Sequence, residues 1–293
     1  MKKFLLLFLL IILIQSVIII KQSNVIITST NNITYNFTNE EKEYLIENNI
    51  TYEDIYPYLK YSSFIIYKYF EYENIRLEYN YSYLETVNHI KYPNYFNEYI
   101  SPCNSIMIDT YLILTNKSFY LNDSYVPNNL KPISIYNVQY IQRENEIMKA
   151  NSIVLDNYQK MYNDAVKNNI ELVIYSAYRS YKKQTELFYK VNNQNDRYSA
   201  KPGFSEHQTG LSLDISDTTH GLTLNLEYAN TFSWLNNNCY KYGFILRYPK
   251  GKEYFTKYNY EPWHYRFVGI EHSKIIHDNN LTLEQYLFSY FEL

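Results

Sequence analysis

Two short stretches of the chain carry side chains suited to a hydrolytic metal site. In one, His207 is followed seven positions later by Asp214, and in the other Glu261 precedes His264 by three positions. Catalytic zinc sites take three protein ligands from His and carboxylate residues, and a nearby Glu handles protons. The pattern therefore predicts His207, Asp214 and His264 as ligands of Zn²⁺, with Glu261 as the base.

Asp214 lies in an apolar stretch, which favours the metal interpretation. Leu211, Leu213 and Ile215 alternate around it in the way that core-facing residues of a strand do. A carboxylate inside such a strand is costly to bury unless a positive partner lies beside it. A metal ion would supply that charge.

The spacing of Glu261 and His264 leaves two interpretations open. In a regular strand, residues three apart point to opposite faces, although Pro262 favours a local irregularity because it has no N–H for the ladder. Residue chemistry alone is equally compatible with Glu261 as a solvated carboxylate at a strand end and Trp263 as an ordinary core aromatic. The remaining histidines are expected at the surface or in packing: His89, His220, His272 and His277.

The helices and strands predicted around these residues indicate an α+β domain. Residues 144–167 have apolar residues at steps of three and four, as in a long amphipathic helix, and Ser180 is suited to cap another helix from Tyr181. Strands are predicted at 106–114, 171–175, 244–248 and 260–268, and a helix at 232–242 that ends at Gly243. Helices before and among these strands favour a mostly antiparallel central sheet flanked by helices.

Composition excludes several classes of protein. The 293 residues carry a formal net charge of −3 without a basic stripe, so nucleic acid is not an expected partner. Cys103 and Cys239 are the only cysteines, too few for a disulfide framework or a Cys-ligated zinc site. They form either one bridge or two unpaired thiols, and nothing in the sequence indicates an oligomeric state.

The N-terminal part predicts export and membrane attachment. Lys2 and Lys3 precede an apolar run over residues 4–20, and no clear cleavage site follows. We interpret residues 1–22 as a signal or membrane anchor, favouring an uncleaved anchor, with the rest of the chain extracytoplasmic. Residues 23–39 are then a tether, residues 40–111 a small, mainly helical accessory segment, and residues 112–293 the catalytic domain.

Four motifs, in order, closely resemble the VanY-type D-alanyl-D-alanine carboxypeptidases, which are zinc peptidases of the LAS type. The motifs are Ser-Ala-Tyr-Arg-Ser-Tyr at 176–181 with Gln184, residues 201–214, residues 242–252, and Glu-Pro-Trp-His-Tyr-Arg at 261–266. The resemblance covers roughly residues 112–270. Lys201 stands where Arg is common in the family, and Lys257 where Gly is common, and neither belongs to the metal set.

The resemblance implies a compact α+β zinc peptidase domain and a role for each matching residue. His207, Asp214 and His264 would ligate zinc, and Glu261 would be the catalytic base. Arg179 matches an Arg that binds substrate and stabilises the developing oxyanion. Gln184 and Ser205 match positions that line the substrate site.

The implied function is zinc-dependent D-alanyl-D-alanine carboxypeptidase activity on the C-terminal D-alanine of peptidoglycan stem peptides. An L,D-carboxypeptidase that acts on the tetrapeptide stem is the alternative within enzymes. Outside enzymes, the alternatives are a non-catalytic cell-wall binding module and a surface adhesion or scaffold protein. Intact His207, Asp214, Glu261 and His264 argue against a binding module, since loss of catalysis usually removes at least one such residue.

Overall fold

The structure is a computed structural model that describes residues 35–91, 103–104, 106–107, 111–191, 196 and 199–291. The chain forms two compact units, Met1–Lys91 and Tyr92–Leu293. The predicted anchor at residues 1–22 and most of the predicted tether lie outside the described residues. Within the described part of the chain, no helix combines the length and apolar character that crossing a membrane requires.

Short strands and helices alternate along the second unit, whereas the described residues of the first unit form helices and the turns between them. The α-helices are α1 (Asn39–Glu47), α2 (Tyr52–Leu59), α3 (Tyr69–Tyr79), α4 (Tyr83–Lys91), α5 (Ser152–Lys167), α6 (Tyr181–Glu186), α7 (Asn230–Asn238), α8 (Glu253–Thr256), α9 (Ile270–Asp278) and α10 (Leu283–Tyr290). The strands are β1 (Cys103–Asn104), β2 (Ile106–Met107), β3 (Ile113–Leu114), β4 (Phe119–Tyr120), β5 (Leu130–Pro132), β6 (Gln139–Tyr140), β7 (Lys149–Asn151), β8 (Val173–Ser176), β9 (Ser212–Ser216), β10 (Phe244–Leu246) and β11 (His264–Phe267).

Aliphatic and aromatic side chains share the core of the described part of the first unit. Thr38 and Thr51 begin α1 and α2 with capping boxes, in which the Thr hydroxyl and an acidic side chain three residues later satisfy backbone N–H groups. Tyr58 and Tyr72 are buried between the helices, with ring centroids 5.5 Å apart. Tyrosine therefore contributes to the core here beside Leu, Ile and Val residues.

A five-stranded sheet in the order β10–β11–β9–β8–β6 is the centre of the second unit. The pairings from β10 to β8 are antiparallel, and β6 joins β8 in parallel. The prediction of an α+β domain is confirmed, and the sheet is mixed with an antiparallel majority. Further short strand pairs, β1–β4, β2–β3 and β5–β7, lie outside this sheet.

Strand β9 separates the core from the candidate site. Leu213 and Ile215 point into a core cluster that they share with Val154 and Tyr158 of α5. Because side chains alternate across a strand, Asp214 points to the opposite face. Helix α5 thus covers one face of the sheet, and the other face carries Asp214 and also Ile245 of β10, which packs in a second core cluster with residues of α9 and α10.

Several boundaries differ from the sequence predictions. The helix predicted over 144–167 begins only at Ser152, because β7 pairs with β5 and the Asn151 side chain accepts from the N–H of Ile153 as a cap. The strand predicted over 106–114 is divided into β2 and β3, which pair antiparallel. Cys239 is a buried free thiol, and the side chain of Cys103 lies outside the described residues.

Candidate active site

The candidate site forms where strand β11 begins beside the middle of β9. His264 and Asp214 are direct partners across these antiparallel strands. Residues 262–263 form a turn, and the strand predicted over 260–268 is observed only at His264–Phe267. Because Glu261 precedes the turn, strand alternation does not apply to it. Its carboxylate Oε2 lies 3.9 Å from Nδ1 of His264, so the two side chains converge.

His207 reaches the same place from a short 3₁₀ helix, Glu206–Thr209, that leads into β9. Gly210 ends this helix with φ 69°, and a Cβ atom there would lie 3.0 Å from Cγ of Pro127. Glycine is therefore favoured by both the backbone conformation and the close approach. The Nδ1 atom of His207 lies 2.7 Å from the carbonyl oxygen of Ala177. A carbonyl can only accept, so Nδ1 carries the proton and Nε2 offers its lone pair.

His207, Asp214 and His264 together form a buried set of possible metal ligands. One ligand atom from each lies within 4.8 Å of the others. The Asp214 carboxylate lies 3.3 Å from Nε2 of His207 through Oδ2 and 2.9 Å from Nδ1 of His264 through Oδ1. Two imidazoles and one carboxylate are a donor set that catalytic zinc sites use. The residues present therefore fit a zinc ion.

Electrostatics within this set favour an ionised Asp214. Burial alone would raise the pKa of its carboxyl, but the neighbouring His207 and His264 hold that pKa well below its usual value. Burial lowers the pKa of His207. For His264 burial acts in the same direction, but the nearby carboxylates of Asp214 and Glu206 outweigh it and raise the pKa to about 9.

Glu261 differs from Asp214 in being partly open to the cavity. Its side chain keeps 24% of its exposure. Desolvation raises the pKa of the Glu261 carboxyl to about 7, with Asp214 adding to the shift and His264 opposing it. A carboxyl with a pKa near neutrality is suited to accept and return a proton at physiological pH.

Arg179, the other residue predicted to be catalytic, is held in place by Gln184. Its Nη1 donates to Oε1 of Gln184 at 2.7 Å, and its Nη2 donates to the hydroxyl of Ser176 at 3.2 Å. The Gln184 amide in turn donates to the carbonyl of Ala200 at 2.6 Å. Gln184 is 1% exposed and is not among the described residues that line the cavity, so it contacts the site through Arg179.

These side chains surround one cavity of about 210 Å³. Its polar lining residues include Arg179, Ser205, His207, Asp214, Glu261 and His264. Of the predicted site residues, Gln184 alone is thus set back behind the lining. This cavity combines two imidazoles, two carboxylates and one guanidinium. Such a set can bind a metal ion and, beside it, a negatively charged or polarised group.

Sequence reasoning missed two residues that contact His264. Tyr248 stacks on the His264 ring with centroids 4.8 Å apart. Glu206, which is fully buried, lies 3.6 Å from the Nε2 atom of the same ring. The sequence signal for Glu206 is limited to its place directly before His207 in the motif at 201–214, because its burial and its partners are visible only in the structure.

The four histidines expected at the surface or in packing lie outside this cavity lining. His220 faces Asp217 at 2.8 Å, and His277 stacks on Tyr240 with centroids 3.7 Å apart. His272 and His89 contact aromatic rings. None of the four belongs to the ligand cluster found among the described residues.

Comparison with known proteins gives the family. Residues 148–270 match the VanY family model, described as D-alanyl-D-alanine carboxypeptidase. The chain is 32% identical over 187 residues to the bifunctional D-Ala-D-Ala dipeptidase and D-Ala-D-Ala carboxypeptidase VanXYC of Enterococcus gallinarum, a match that covers 60% of this chain and 92% of that protein. The chain belongs to the VanY family.

Other relatives are similar over smaller shares of their length. A D-alanyl-D-alanine carboxypeptidase of Enterococcus faecium is 40% identical over 135 residues, which are 46% of this chain and 42% of that protein. The matched region covers 42% of that protein and 52% and 66% of two further curated relatives. This chain therefore matches less than two thirds of the length of each of these three proteins. The solved structure of the LdcB LD-carboxypeptidase is similar at 39% identity and a TM-score of 0.55, covering 60% of this chain and 85% of that one.

Proposed function

We propose that the protein is a zinc-dependent D-alanyl-D-alanine carboxypeptidase that removes the C-terminal D-alanine of peptidoglycan stem peptides. The observation that carries this proposal is the convergence of His207, Asp214 and His264 with Glu261 in one cavity of a VanY-family chain. The ligand set supports zinc as the cofactor. The curated relatives support the reaction, since several are D-alanyl-D-alanine carboxypeptidases.

Glu261 acts as the general base and then as the general acid. Zinc, when bound, supplies a Lewis acid that activates water at neutral pH and polarises a carbonyl. Glu261 takes a proton from the attacking water and returns it to the nitrogen of the leaving D-alanine. Its pKa of about 7 in the metal-free protein suits both directions of transfer, although a nearby cation lowers that pKa.

Arg179 stabilises the negative charge that develops on the oxygen of the scissile carbonyl. Its guanidinium lines the same cavity as Glu261 and is oriented by Gln184 and Ser176. A fixed positive charge placed where the oxyanion develops stabilises the transition state more than the ground state. Ser205, which also lines the cavity, binds the substrate, and Gln184 contributes by holding Arg179.

Zinc content and D-alanine release test this function on one preparation. The purified full-length chain is expected to contain one zinc ion and to release D-alanine from a stem pentapeptide that ends in D-Ala-D-Ala. A chelator should abolish release, and added Zn²⁺ should restore it. Release that persists in chelated, metal-free protein would contradict the proposal. A zinc-loaded protein that releases no D-alanine from the pentapeptide or from the tetrapeptide stem would contradict it as well.

The second candidate is an L,D-carboxypeptidase that removes D-alanine from the tetrapeptide stem. The similarity to the solved LdcB LD-carboxypeptidase favours it. Both reactions use the same metal, base and guanidinium, so the choice depends on how the cavity accepts the residue before the scissile bond. Rates with pentapeptide and tetrapeptide discriminate them: a higher kcat/KM for pentapeptide supports the first candidate.

We also propose that the enzyme is extracytoplasmic and anchored to the membrane by its N-terminal residues. A peptidoglycan substrate requires an extracytoplasmic site, and the apolar run after Lys2 and Lys3 supports residues 1–22 as the membrane anchor. The proposed accessory segment is residues 40–111 and the proposed catalytic domain residues 112–293, whereas the compact units divide after Lys91. Recovery of the full chain in the membrane fraction, and of a chain lacking residues 1–22 in the soluble fraction, would support this arrangement.

A further inference from the structure

Four charged side chains that the proposed reaction does not use form a buried network next to the site. They are Glu206, Arg247, Arg266 and Glu284, and each side chain is 0% exposed. Glu206 pairs with both arginines, and Arg247 also pairs with Glu284 of α10. The two positive and two negative charges balance, which makes their burial tolerable.

The two oxygens of Glu206 have different partners. Oε1 accepts from Nε of Arg247 and from Nη1 of Arg266, both at 2.7 Å. Oε2 accepts from the hydroxyl of Ser212 at 3.3 Å and lies 3.6 Å from Nε2 of His264. Because two guanidinium groups occupy Oε1, Glu206 is held as a carboxylate. The free acceptor capacity of Oε2 faces His264.

The His264 ring has this carboxylate near its Nε2 atom and the proposed ligand Asp214 near its Nδ1 atom. Its Nδ1 faces Oδ1 of Asp214 at 2.9 Å and Oε2 of Glu261 at 3.9 Å. Its Nε2 is buried and has no hydrogen-bond partner among the described residues, since 3.6 Å to Glu206 is longer than a hydrogen bond. A shift of about half an ångström would make that bond. Tyr248, stacked on the ring, restricts motion out of its plane.

We propose that Glu206 is a positioning residue of the zinc site, which accepts the Nε2 proton of His264 and so leaves the Nδ1 lone pair free for the metal. A carboxylate behind a metal-ligating histidine fixes its tautomer and its orientation and increases its basicity. The inference rests on the proposed zinc site and adds a residue that acts through His264. It also gives the buried network a role beyond stability.

A substitution that inverts one hydrogen bond tests this role. In Glu206→Gln, the amide oxygen stays with the two arginines, since an amide N–H would face their N–H donors. The amide NH₂ group then faces Nε2 of His264 and favours the tautomer with its proton on Nδ1. Zinc affinity, measured by competition with a chelating dye, should fall by about 10- to 100-fold.

Glu284→Gln is the matched control. Glu284 belongs to the same network, where it accepts from Arg247 and from Asn116 at 3.1 Å, and it lies on α10 rather than beside His264. Both variants lose one buried carboxylate, so both should be less stable. Only Glu206→Gln is expected to lose zinc affinity. Wild-type affinity in Glu206→Gln, or equal losses in the two variants, would overturn the proposal.

A measurement on the wild-type chain covers the case in which Glu206→Gln does not fold. In the zinc-loaded protein, ¹H–¹⁵N spectra of the histidine rings should show a slowly exchanging proton on Nε2 of His264. A proton on Nδ1 instead would overturn the role of Glu206. A wild-type chain that binds no zinc would contradict the proposed function as well. If the wild type releases D-alanine in a zinc-dependent way and Glu206→Gln keeps wild-type zinc affinity, only this inference is contradicted.

Discussion

Nδ1 of His264 lies 2.9 Å from Oδ1 of Asp214, and the two residues are opposite partners in strands β11 and β9. The strand register therefore fixes two of the three proposed ligands, and the 3₁₀ helix that leads into β9 positions His207. Opposite residues in an antiparallel pair keep their separation as long as the ladder is intact. This arrangement is why we expect the metal site to depend on the sheet rather than on flexible segments.

Removing a proposed ligand should remove the metal. His207→Ala and Asp214→Ala each leave two ligands, and we expect neither variant to retain stoichiometric zinc after dialysis. His220→Ala is the control, since His220 pairs with Asp217 outside the cavity lining and its loss should leave the zinc content unchanged. Full zinc occupancy in His207→Ala, measured by atomic absorption, would rule out the ligand assignment.

Zinc affinity should increase with pH because a proton competes for His264. The pKa of His264 is raised to about 9 in the metal-free protein, so the ring is protonated below that pH and must lose a proton to bind metal. We expect the apparent association constant to rise by about tenfold per pH unit from near pH 7 to pH 9, and then to level off. An affinity that does not change over this range would contradict the assignment.

Gln184→Ala should reduce catalysis without removing zinc. The substitution deletes the acceptor of Nη1 of Arg179 and the donor to Ala200, so the guanidinium loses its orientation. Misplacing a catalytic group by about 1 Å costs up to a hundredfold in rate, and we expect kcat/KM to fall by about 10- to 100-fold. Gln159→Ala, which removes a Gln that bonds Asn137 instead, is the control. Unchanged kinetics in Gln184→Ala would show that Arg179 needs no such support.

Cys239 should be unreactive in the folded protein. Burial raises the pKa of its thiol to about 12, and only the thiolate is an effective nucleophile. In a Cys103→Ser variant, we expect a thiol reagent at about pH 8 to label Cys239 only after denaturant is added. Labelling at the same rate in the native and unfolded states would show that the thiol is accessible.

Local features of the fold follow from the sequence, whereas the convergence of the site depends on pairing between distant segments. The Ser180 cap and the left-handed Gly243 are set by neighbouring residues, and both are observed as predicted. Side-chain spacing alone did not resolve whether Glu261 and His264 converge. The turn at residues 262–263 resolves it, because the strand begins only at His264.

The family motifs supplied the site residues that spacing could not. Arg179 and Gln184 were identified by resemblance, and their hydrogen bond became visible only in the structure. Glu206 had no predicted role, although it stands next to His207, because its partners Arg247 and Arg266 are 41 and 60 residues away along the chain. Buried networks of this kind are assembled by tertiary packing and leave little periodic signal in a sequence.

The central claim is that Glu261 is the base beside a zinc ion held by His207, Asp214 and His264. Its most direct test is zinc content and D-alanine release measured on the same sample of Glu261→Gln. Because the substitution removes the base and keeps the three ligands, we expect one bound zinc per chain and a loss of turnover of about 10²- to 10⁴-fold. Turnover close to that of the wild type in the zinc-loaded variant would contradict the account.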